Sequence, residues 1–270
     1  MSVFTTVYKK LQPKWPSPPY DEKDQPHFLF IITPPYSGST ALATLLATSP
    51  RTMTLRKNGE GQGLVPGLSQ KKYRWKQDMK VDYASVKAVW LNRYQDEKRL
   101  YPQIDVVIEK SPPNMMRIEK LSSQFNKYSF LANNRDPYAN CSSILYRNWY
   151  AKYFSPKKRK KVLEGLAKDW QMRSNRIREL VINKNIPLLT YEQFCSNTSS
   201  ILAALKLPEG VADTIDLEAK IKVKDYKPQP ITNQNDRQIK NLTDEEIECI
   251  GRILKSDNDL MNFFGYRVMQ

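Results

Sequence analysis

Short apolar runs, separated by longer stretches of mixed polarity, form the hydrophobic pattern of the chain. Residues 28–32, 104–109, 128–133 and 186–191 are rich in aliphatic, β-branched and aromatic side chains, which is typical of buried strands. Segments with the apolar spacing of amphipathic helices lie between these runs, so that strands and helices alternate. This alternation predicts a single α/β domain with a parallel sheet and helices on both faces.

The segments between the predicted strands divide into helices and loops. Residues 51–70 contain four glycines, and residues 223–239 are polar and rich in proline and asparagine, so both predict loops. Thr243 and Glu246 have the spacing of a capping box at the start of a helix. Helices are predicted at residues 41–47, within 71–100, and at 138–153, 162–181, 198–207 and 242–254.

The connection from the first strand to the first helix is the most informative stretch. Pro34 and Pro35 end the strand because proline has no N–H group, and the small polar residues 37–40 follow. Such a loop leaves the first N–H groups of the helix unpaired, and together with the helix dipole they form an anion site. Gly38 lets the backbone approach an oxyanion closely. An ordinary Ser/Thr-capped helix after a core strand is the alternative.

The loop does not match the Walker phosphate loop, which requires G-x-x-x-x-G-K-[ST]. No glycine lies five residues before Gly38, and Ser39 stands where the lysine is required. An ATP or GTP enzyme of that type is therefore disfavoured.

The same loop resembles the 5′-phosphosulfate loop of the sulfotransferases that use 3′-phosphoadenosine 5′-phosphosulfate (PAPS). That family's pattern is roughly T-x-P-[KR]-[ST]-G-[ST]-[ST], and Tyr36 departs from it because the family has Lys or Arg there. The resemblance implies a P-loop-like α/β fold over about residues 28–266. Thr33 also fits the pattern, and the residues expected to contact the 5′-phosphosulfate are Pro35, Tyr36, Ser37, Gly38, Ser39 and Thr40.

A second motif carries the resemblance further along the chain. Arg135 follows the predicted strand 128–133, and Ser143 lies eight residues later, as in the family pattern R-[DN]-P-x-x-x-x-x-S. In that family the pair holds the 3′-phosphate of the nucleotide, a task that suits arginine because its planar guanidinium donates two hydrogen bonds at once. An arginine paired with Asp136 at a helix start is the alternative. Lys227 and Arg237 lie where the family folds over the nucleotide, and they are further candidates for phosphate contact.

Two residues are candidates for catalysis. Glu60 is the only acidic residue of the loop at 51–70, and in the tyrosylprotein and carbohydrate branches of the family a glutamate in this loop takes the proton from the acceptor hydroxyl. Lys110 follows the strand 104–109 in a Lys-Ser-Pro string similar to one in the same branches, so it is expected to face the transferring sulfonate. A solvated loop carboxylate and a surface lysine are the alternatives.

The tyrosine at position 36 removes the cation that the family places beside the leaving group. The resemblance therefore implies that Lys110, Arg56 or Lys57 supplies that charge, or that the activity is low or lost. A tyrosine hydroxyl donates one hydrogen bond but carries no positive charge.

The formal net charge of +15 and the isoelectric point near 9.6 favour an anionic partner, and a soluble, generally basic surface is the alternative. A phosphorylated nucleotide, an acidic glycan or nucleic acid all meet this condition. The basic run at residues 155–161 is expected to be a solvated turn before a helix, and nuclear import or nucleic-acid contact is the alternative.

Several features bound the setting of the protein. Residues 1–26 contain five prolines and are expected to form an N-terminal arm ahead of the sulfotransferase-like α/β domain of residues 27–270. No run approaches the ~20 apolar residues of a membrane span, and the N-terminus lacks an apolar signal core. His27, the only histidine, is expected to have no catalytic role. The cysteines, in no metal spacing, predict reduced thiols in a cytoplasmic protein without a metal site: Cys141, Cys195 and Cys249.

The resulting hypothesis is a PAPS-dependent sulfotransferase that releases adenosine 3′,5′-bisphosphate. Its acceptor is expected to be a hydroxyl of a sugar, a tyrosine or a small molecule, with an acidic carbohydrate among the candidates and nucleic acid disfavoured. A P-loop-like nucleotide kinase or phosphotransferase is one alternative, although it would need Mg²⁺ and a loop lysine. A non-catalytic nucleotide- or polyanion-binding protein, including a degenerate sulfotransferase, is another.

Overall fold

A parallel sheet lies at the centre of the computed structural model, which describes residues 24–68, 74–76, 80–147, 149–223 and 227–269. Within these residues it has four strands, in the order β2-β3-β1-β4, and every neighbouring pair is parallel. The predicted α/β class is therefore confirmed. The strands are β1 (His27–Ile32), β2 (Thr52–Thr54), β3 (Val106–Glu109) and β4 (Tyr128–Ala132).

Helices cover both faces of the sheet. Alternate residues of β1 enter two separate cores, since Phe28 and Phe30 join a cluster on one face while Leu29 and Ile31 join a cluster on the other. A parallel sheet buried on both sides requires such apolar strands. The helices are α1 (Ser39–Leu46), α2 (Tyr83–Leu100), α3 (Ile118–Gln124), α4 (Pro137–Arg147), α5 (Pro156–Lys184), α6 (Tyr191–Ser196), α7 (Ser199–Ala204), α8 (Asn235–Ile239), α9 (Asp244–Leu254) and α10 (Asn258–Phe264).

The predicted fourth strand at residues 186–191 is wrong in extent. It is reduced to a single bridge between Leu188 and Ala132 on the outer side of β4. Pro187 cannot donate to the ladder, and Thr190 already caps α6 through a capping box with Gln193. The strand therefore ends where the helix signal begins.

Two elements lie inside segments that the sequence predicts as loops. β2 falls within residues 51–70, and α8 falls at the end of residues 223–239. β2 has only three residues, and it forms because it pairs with the buried strand β3. Neither element has the length or periodicity that marks a strand or helix in a sequence.

Several helix boundaries differ from the prediction. The helix predicted at 138–153 ends as α4 at Arg147, the one predicted at 198–207 covers only Ser199–Ala204, and a charged segment joins α5. α5 begins at Pro156 with Ser155 as its N-cap, so the basic run at 155–161 forms the start of the helix and not a turn before it. Arg159 in this run pairs with Glu246, which also completes the predicted capping box of α9.

Apart from residues 24–26, the predicted N-terminal arm lies outside the described residues. None of the described helices combines the length and apolar character that crossing a membrane requires.

The strand order determines which motifs meet. β1 lies between β3 and β4, and the carboxyl ends of parallel strands share one edge of the sheet. The loop at 33–38 therefore emerges between Lys110, which follows β3, and Arg135, which follows β4.

Candidate active site

The loop between β1 and α1 makes a tight turn just before the helix. Tyr36 and Gly38 have φ angles of 63° and 77°, so the chain turns through the left-handed region twice before α1 begins. The Ser37 side chain is fully buried, and its hydroxyl has no hydrogen-bond partner among the described residues. An unpaired buried hydroxyl costs free energy, so this donor calls for a partner that the described residues do not supply.

Gly38 is required by its surroundings as well as by its φ angle. A Cβ atom on Gly38 would lie 2.2 Å from Cδ2 of Tyr191, whose ring covers the loop from α6. Any side chain at this position would push the ring away from the loop.

This close approach yields a prediction with a matched control. Gly67 has a similar φ of 72°, but a Cβ atom added there would meet no atom of the described residues within 4 Å. Gly67→Ala is therefore expected to lower the free energy of unfolding by about 1–2 kcal/mol, the cost of the left-handed conformation alone. Gly38→Ala is expected to lower it by about 2–4 kcal/mol, because overpacking adds to that cost. Denaturant titrations compare the two variants, and equal losses would show that the Tyr191 contact carries no energy.

Arg135 connects the carboxyl end of β4 to this loop. Its Nη1 donates to the carbonyl of Tyr36 at 3.2 Å, and its Nε donates to Oδ1 of Asn235 at 2.8 Å. The guanidinium carbon lies 4.3 Å from the centroid of the Tyr191 ring. The residue is 5% exposed, and Nη2 has no partner among the described residues. The guanidinium is thus held on three sides and keeps one buried amino group for a ligand.

A carboxylate on α6 organises the support of Arg135. Glu192 accepts hydrogen bonds from the N–H of Asp136 at 3.0 Å and from Nδ2 of Asn235 at 2.7 Å, while its other oxygen accepts from the Tyr266 hydroxyl at 3.0 Å. Asn235 in turn accepts the bond from Arg135. Neither Asn235 nor Tyr191 lies in a motif with Arg135, so the sequence does not predict that they support its guanidinium.

The carboxyl group of Asp136 predicts a dependence of stability on pH. Burial, aided by the charge of Glu192, raises its pKa to about 6. The unfolded value is about 3.9, so the folded state favours the protonated form, and this stabilisation is present below about pH 4 and is lost as the pH rises through about 6. The free energy of unfolding, measured relative to Asp136→Asn, is therefore expected to fall between about pH 4 and pH 7. Asparagine retains an acceptor for the N–H of Ala139. If the free energy of unfolding relative to Asp136→Asn instead rises over this pH range, the raised pKa of Asp136 is contradicted.

The two candidate catalytic side chains are in contact. The Lys110 ammonium donates to Oε1 of Glu60 at 3.1 Å and to the Thr40 hydroxyl at 3.2 Å. The Lys110 side chain is 3% exposed and that of Glu60 is 32% exposed. The N–H of Lys110 also donates to the carbonyl of Gly59 at 2.8 Å. The end of β3, the glutamate loop and the start of α1 therefore meet at one ammonium group.

A single cavity of 730 Å³ joins these parts. Its size is within the range of small-molecule sites. Ser37 is buried in the loop that forms one wall, whereas Lys227 and Arg237 are exposed and do not line the cavity. The predicted site residues that line it are Pro35, Tyr36, Gly38, Ser39, Thr40, Glu60, Lys110, Arg135 and Ser143.

The cavity is strongly cationic. Glu60 is the only carboxylate among its described lining residues, so the field inside favours a ligand with several negative charges. No group of three or more His, Cys, Asp or Glu side chains in the described part of the chain is placed to hold a metal ion. The cations that line the cavity are Arg56, Lys57, Lys110, Arg135, Arg147 and Lys222.

Comparison with solved structures identifies the fold. The sulfotransferase STF9 from Mycobacterium avium aligns with a TM-score of 0.52 at 13% identity, over 97% of this chain and 82% of that one. The sulfotransferase domain of the Synechococcus PCC 7002 olefin synthase gives a TM-score of 0.44 at 15% identity, over 95% and 100% of the two chains. Retinol dehydratase, in a complex with retinol and PAP, gives 0.35 at 15% identity, over 87% and 70%.

No protein-family profile and no curated protein sequence matches the chain. The likeness to STF9 shows that the chain has the fold of a sulfotransferase. The resemblance read from the sequence is thereby confirmed at the level of the fold.

Proposed function

We propose that this protein is a PAPS-dependent sulfotransferase, which transfers a sulfonate group to an acceptor hydroxyl. The observation that carries the proposal is the meeting of Arg135 with the loop at 36–40 in one cavity, where Nη1 lies 3.2 Å from the carbonyl of Tyr36. Two anion sites side by side suit a nucleotide with phosphate groups at both its 3′ and 5′ positions. The fold shared with STF9 supports the same conclusion.

The residues present fit the donor. The unpaired Ser37 hydroxyl and the N–H groups at the start of α1 are suited to the 5′-phosphosulfate. The buried Nη2 of Arg135 and the hydroxyl of Ser143 are suited to the 3′-phosphate. Bound PAPS would supply the sulfonate and would leave as adenosine 3′,5′-bisphosphate. Lys227 and Arg237 remain secondary candidates for contacts to the nucleotide.

Glu60 and Lys110 have separate roles in the proposed reaction. Glu60 accepts the proton of the acceptor hydroxyl, a contribution of typically 10²–10⁴-fold, or about 3–5 kcal/mol. Lys110 places a desolvated ammonium beside Thr40, at the loop proposed to hold the 5′-phosphosulfate, where it would stabilise the negative charge that develops on the bridging oxygen of the leaving group. Its position compensates for the tyrosine at 36. No step in this scheme requires a divalent metal.

The acceptor class and the compartment complete the proposal. We infer an acceptor with a hydroxyl group on a sugar, a tyrosine or a small molecule, since a single carboxylate base serves each of them. The three cysteines form no disulfide, which supports a reducing compartment such as the cytoplasm.

A non-catalytic nucleotide-binding protein is the second candidate. Tyr36 favours this second candidate, because it stands where the sulfotransferase pattern has a lysine or arginine beside the leaving group. In this case the cavity would bind adenosine 3′,5′-bisphosphate but would not promote transfer.

An assay of acceptor-dependent product release tests the proposal. The purified protein is incubated with PAPS and a panel of a sugar, a tyrosine peptide and a phenol, with EDTA or with Mg²⁺. We expect an acceptor to increase the release of adenosine 3′,5′-bisphosphate equally in both conditions. Binding of PAPS without release of adenosine 3′,5′-bisphosphate would support the second candidate. In a parallel incubation with ATP in place of PAPS, Mg²⁺-dependent phosphoryl transfer would support a kinase and contradict the proposal.

A further inference from the structure

Glu109, the last residue of β3, is a buried carboxylate beneath the catalytic pair. It is 1% exposed. Its Oε1 accepts hydrogen bonds from the N–H of Gly61 at 3.0 Å and from the Ser111 hydroxyl, and its Oε2 accepts from the N–H of Ser111 at 3.1 Å and from the Asn114 amide. Four donors thus converge on one side chain, as an ionised carboxylate requires.

These donors come from both segments that carry the catalytic pair. Gly61 follows Glu60 in the chain, and Ser111 follows Lys110. The Ser111 hydroxyl also accepts from the N–H of Gln62 at 3.1 Å, which extends the same connection. A single carboxylate therefore ties the loop with Glu60 to the strand end with Lys110.

We propose that Glu109 is a positioning residue for sulfonate transfer, which keeps Glu60 and Lys110 in contact by fixing their two segments against each other. The inference rests on the proposed function. Glu109 itself does not line the cavity, so it acts through its neighbours and not on the substrate. A loop displaced by about 1 Å costs a reaction about 10²-fold, which sets the scale of the effect.

The ionisation of Glu109 gives a signature that a passive structural residue lacks. Burial raises its pKa to about 7, although the bonds from Ser111 and Gly61 and the charge of Lys110 oppose this rise. Among the described residues, Tyr83 also interacts with the Glu109 carboxylate, and its hydroxyl donates to Oδ1 of Asn114, while Arg117 contacts Tyr83. Protonation removes an acceptor from the cluster, so the turnover number should fall as the pH drops through about 7.

Glu109→Gln tests the proposal because glutamine has nearly the same size as glutamate. Its amide NH₂ group, however, would face the hydrogen-bond donors that now surround the carboxylate. We expect the turnover number for PAPS-dependent transfer to fall by about 10- to 100-fold. The Kd for adenosine 3′,5′-bisphosphate should change by less than about threefold, since Arg135 and the loop at 36–40 remain. The fall in turnover near pH 7 should also disappear from the variant's pH profile.

Glu246→Gln is the matched control. Glu246 is a buried carboxylate that pairs with Arg159 and does not line the cavity. Its replacement should lower stability, but the turnover number per nucleotide-binding site should stay at the wild-type value.

The outcomes separate this proposal from the proposed function. Wild-type turnover in Glu109→Gln, or a loss of nucleotide affinity equal to the loss of turnover, would overturn the role of Glu109 alone. Absence of PAPS-dependent turnover in the wild type would overturn the proposed function. If Glu109→Gln does not fold, Ser111→Ala provides the same test, since it removes one donor to Glu109 and the contact with Gln62. It should lower turnover severalfold with unchanged nucleotide affinity, and unchanged turnover would overturn the proposal.

Discussion

Replacing Glu60 by glutamine is expected to lower the turnover number of sulfonate transfer by about 10²–10⁴-fold. The amide keeps the size of the side chain but cannot accept a proton from the acceptor hydroxyl. Its contact with Lys110 remains available, because the amide oxygen can take the place of Oε1 in the bond of 3.1 Å. Steady-state kinetics with PAPS and the best acceptor measures the loss.

Lys110→Ala tests the partner of Glu60 in this contact, and we expect it to lower turnover as well. Removal of one preorganised donor at a developing charge typically costs about 10²–10³-fold in turnover. The double variant should lose less than the product of the two single losses, because the side chains touch. Lys120→Ala, at an exposed position of α3 outside the cavity, is the control. Wild-type turnover in both single variants would show that the base and the cation lie elsewhere.

Replacing Arg135 by alanine is expected to weaken the binding of adenosine 3′,5′-bisphosphate by about 100-fold or more. Hydrogen bonds to charged groups contribute about 1.5–3 kcal/mol each, and the guanidinium offers more than one in a site shielded from water. Calorimetric titration measures the change. Arg135→Lys should recover part of the affinity, because it restores the charge without the planar arrangement of donors.

Adenosine 5′-phosphate serves as the internal control for this prediction. It lacks the 3′-phosphate, so its affinity should change by less than about threefold in Arg135→Ala. An equal loss for both nucleotides would mean that Arg135 supports the loop through the Tyr36 carbonyl and does not read the 3′-phosphate.

The sequence predicted the parts of the fold and site that depend on local patterns. The runs that became β1, β3 and β4 are long enough and apolar enough to be recognised without a partner. The loop at 33–38 and Arg135 each follow a strand, and the parallel order of the strands brings them to the same edge of the sheet. By contrast, β2 depends on pairing with β3, and nothing in its three residues indicates it.

The residues that the sequence analysis missed act through contacts between distant parts of the chain. Asn235 lies 100 residues from Arg135, yet it accepts the bond from its Nε. Glu109 is the polar end of an apolar strand in the sequence, and only the structure shows that Gly61 and Asn114 both donate to it. Lys227 and Arg237 do not line the cavity, so their contacts to the nucleotide stay a prediction.

Tyr36 is the position where the chain departs most from the family pattern. A φ of 63° is unfavourable for a bulky side chain such as that of tyrosine, so the loop stores strain at this residue. In the proposed reaction Lys110, which reaches Thr40 from the neighbouring strand, supplies the cation that is missing at this position. The strand end would then provide the charge, while the loop would provide the backbone donors.

The central claim is that the loop at 36–40 and Arg135 together bind one nucleotide phosphorylated at both the 3′ and 5′ positions. Calorimetry with adenosine 3′,5′-bisphosphate and with ATP, under identical salt and without metal, tests it most directly. We predict a Kd of about 1 μM or lower for adenosine 3′,5′-bisphosphate, which corresponds to about −8 kcal/mol, and at least 100-fold weaker binding of ATP. Equal affinity for the two nucleotides, or no binding of adenosine 3′,5′-bisphosphate, would contradict the claim.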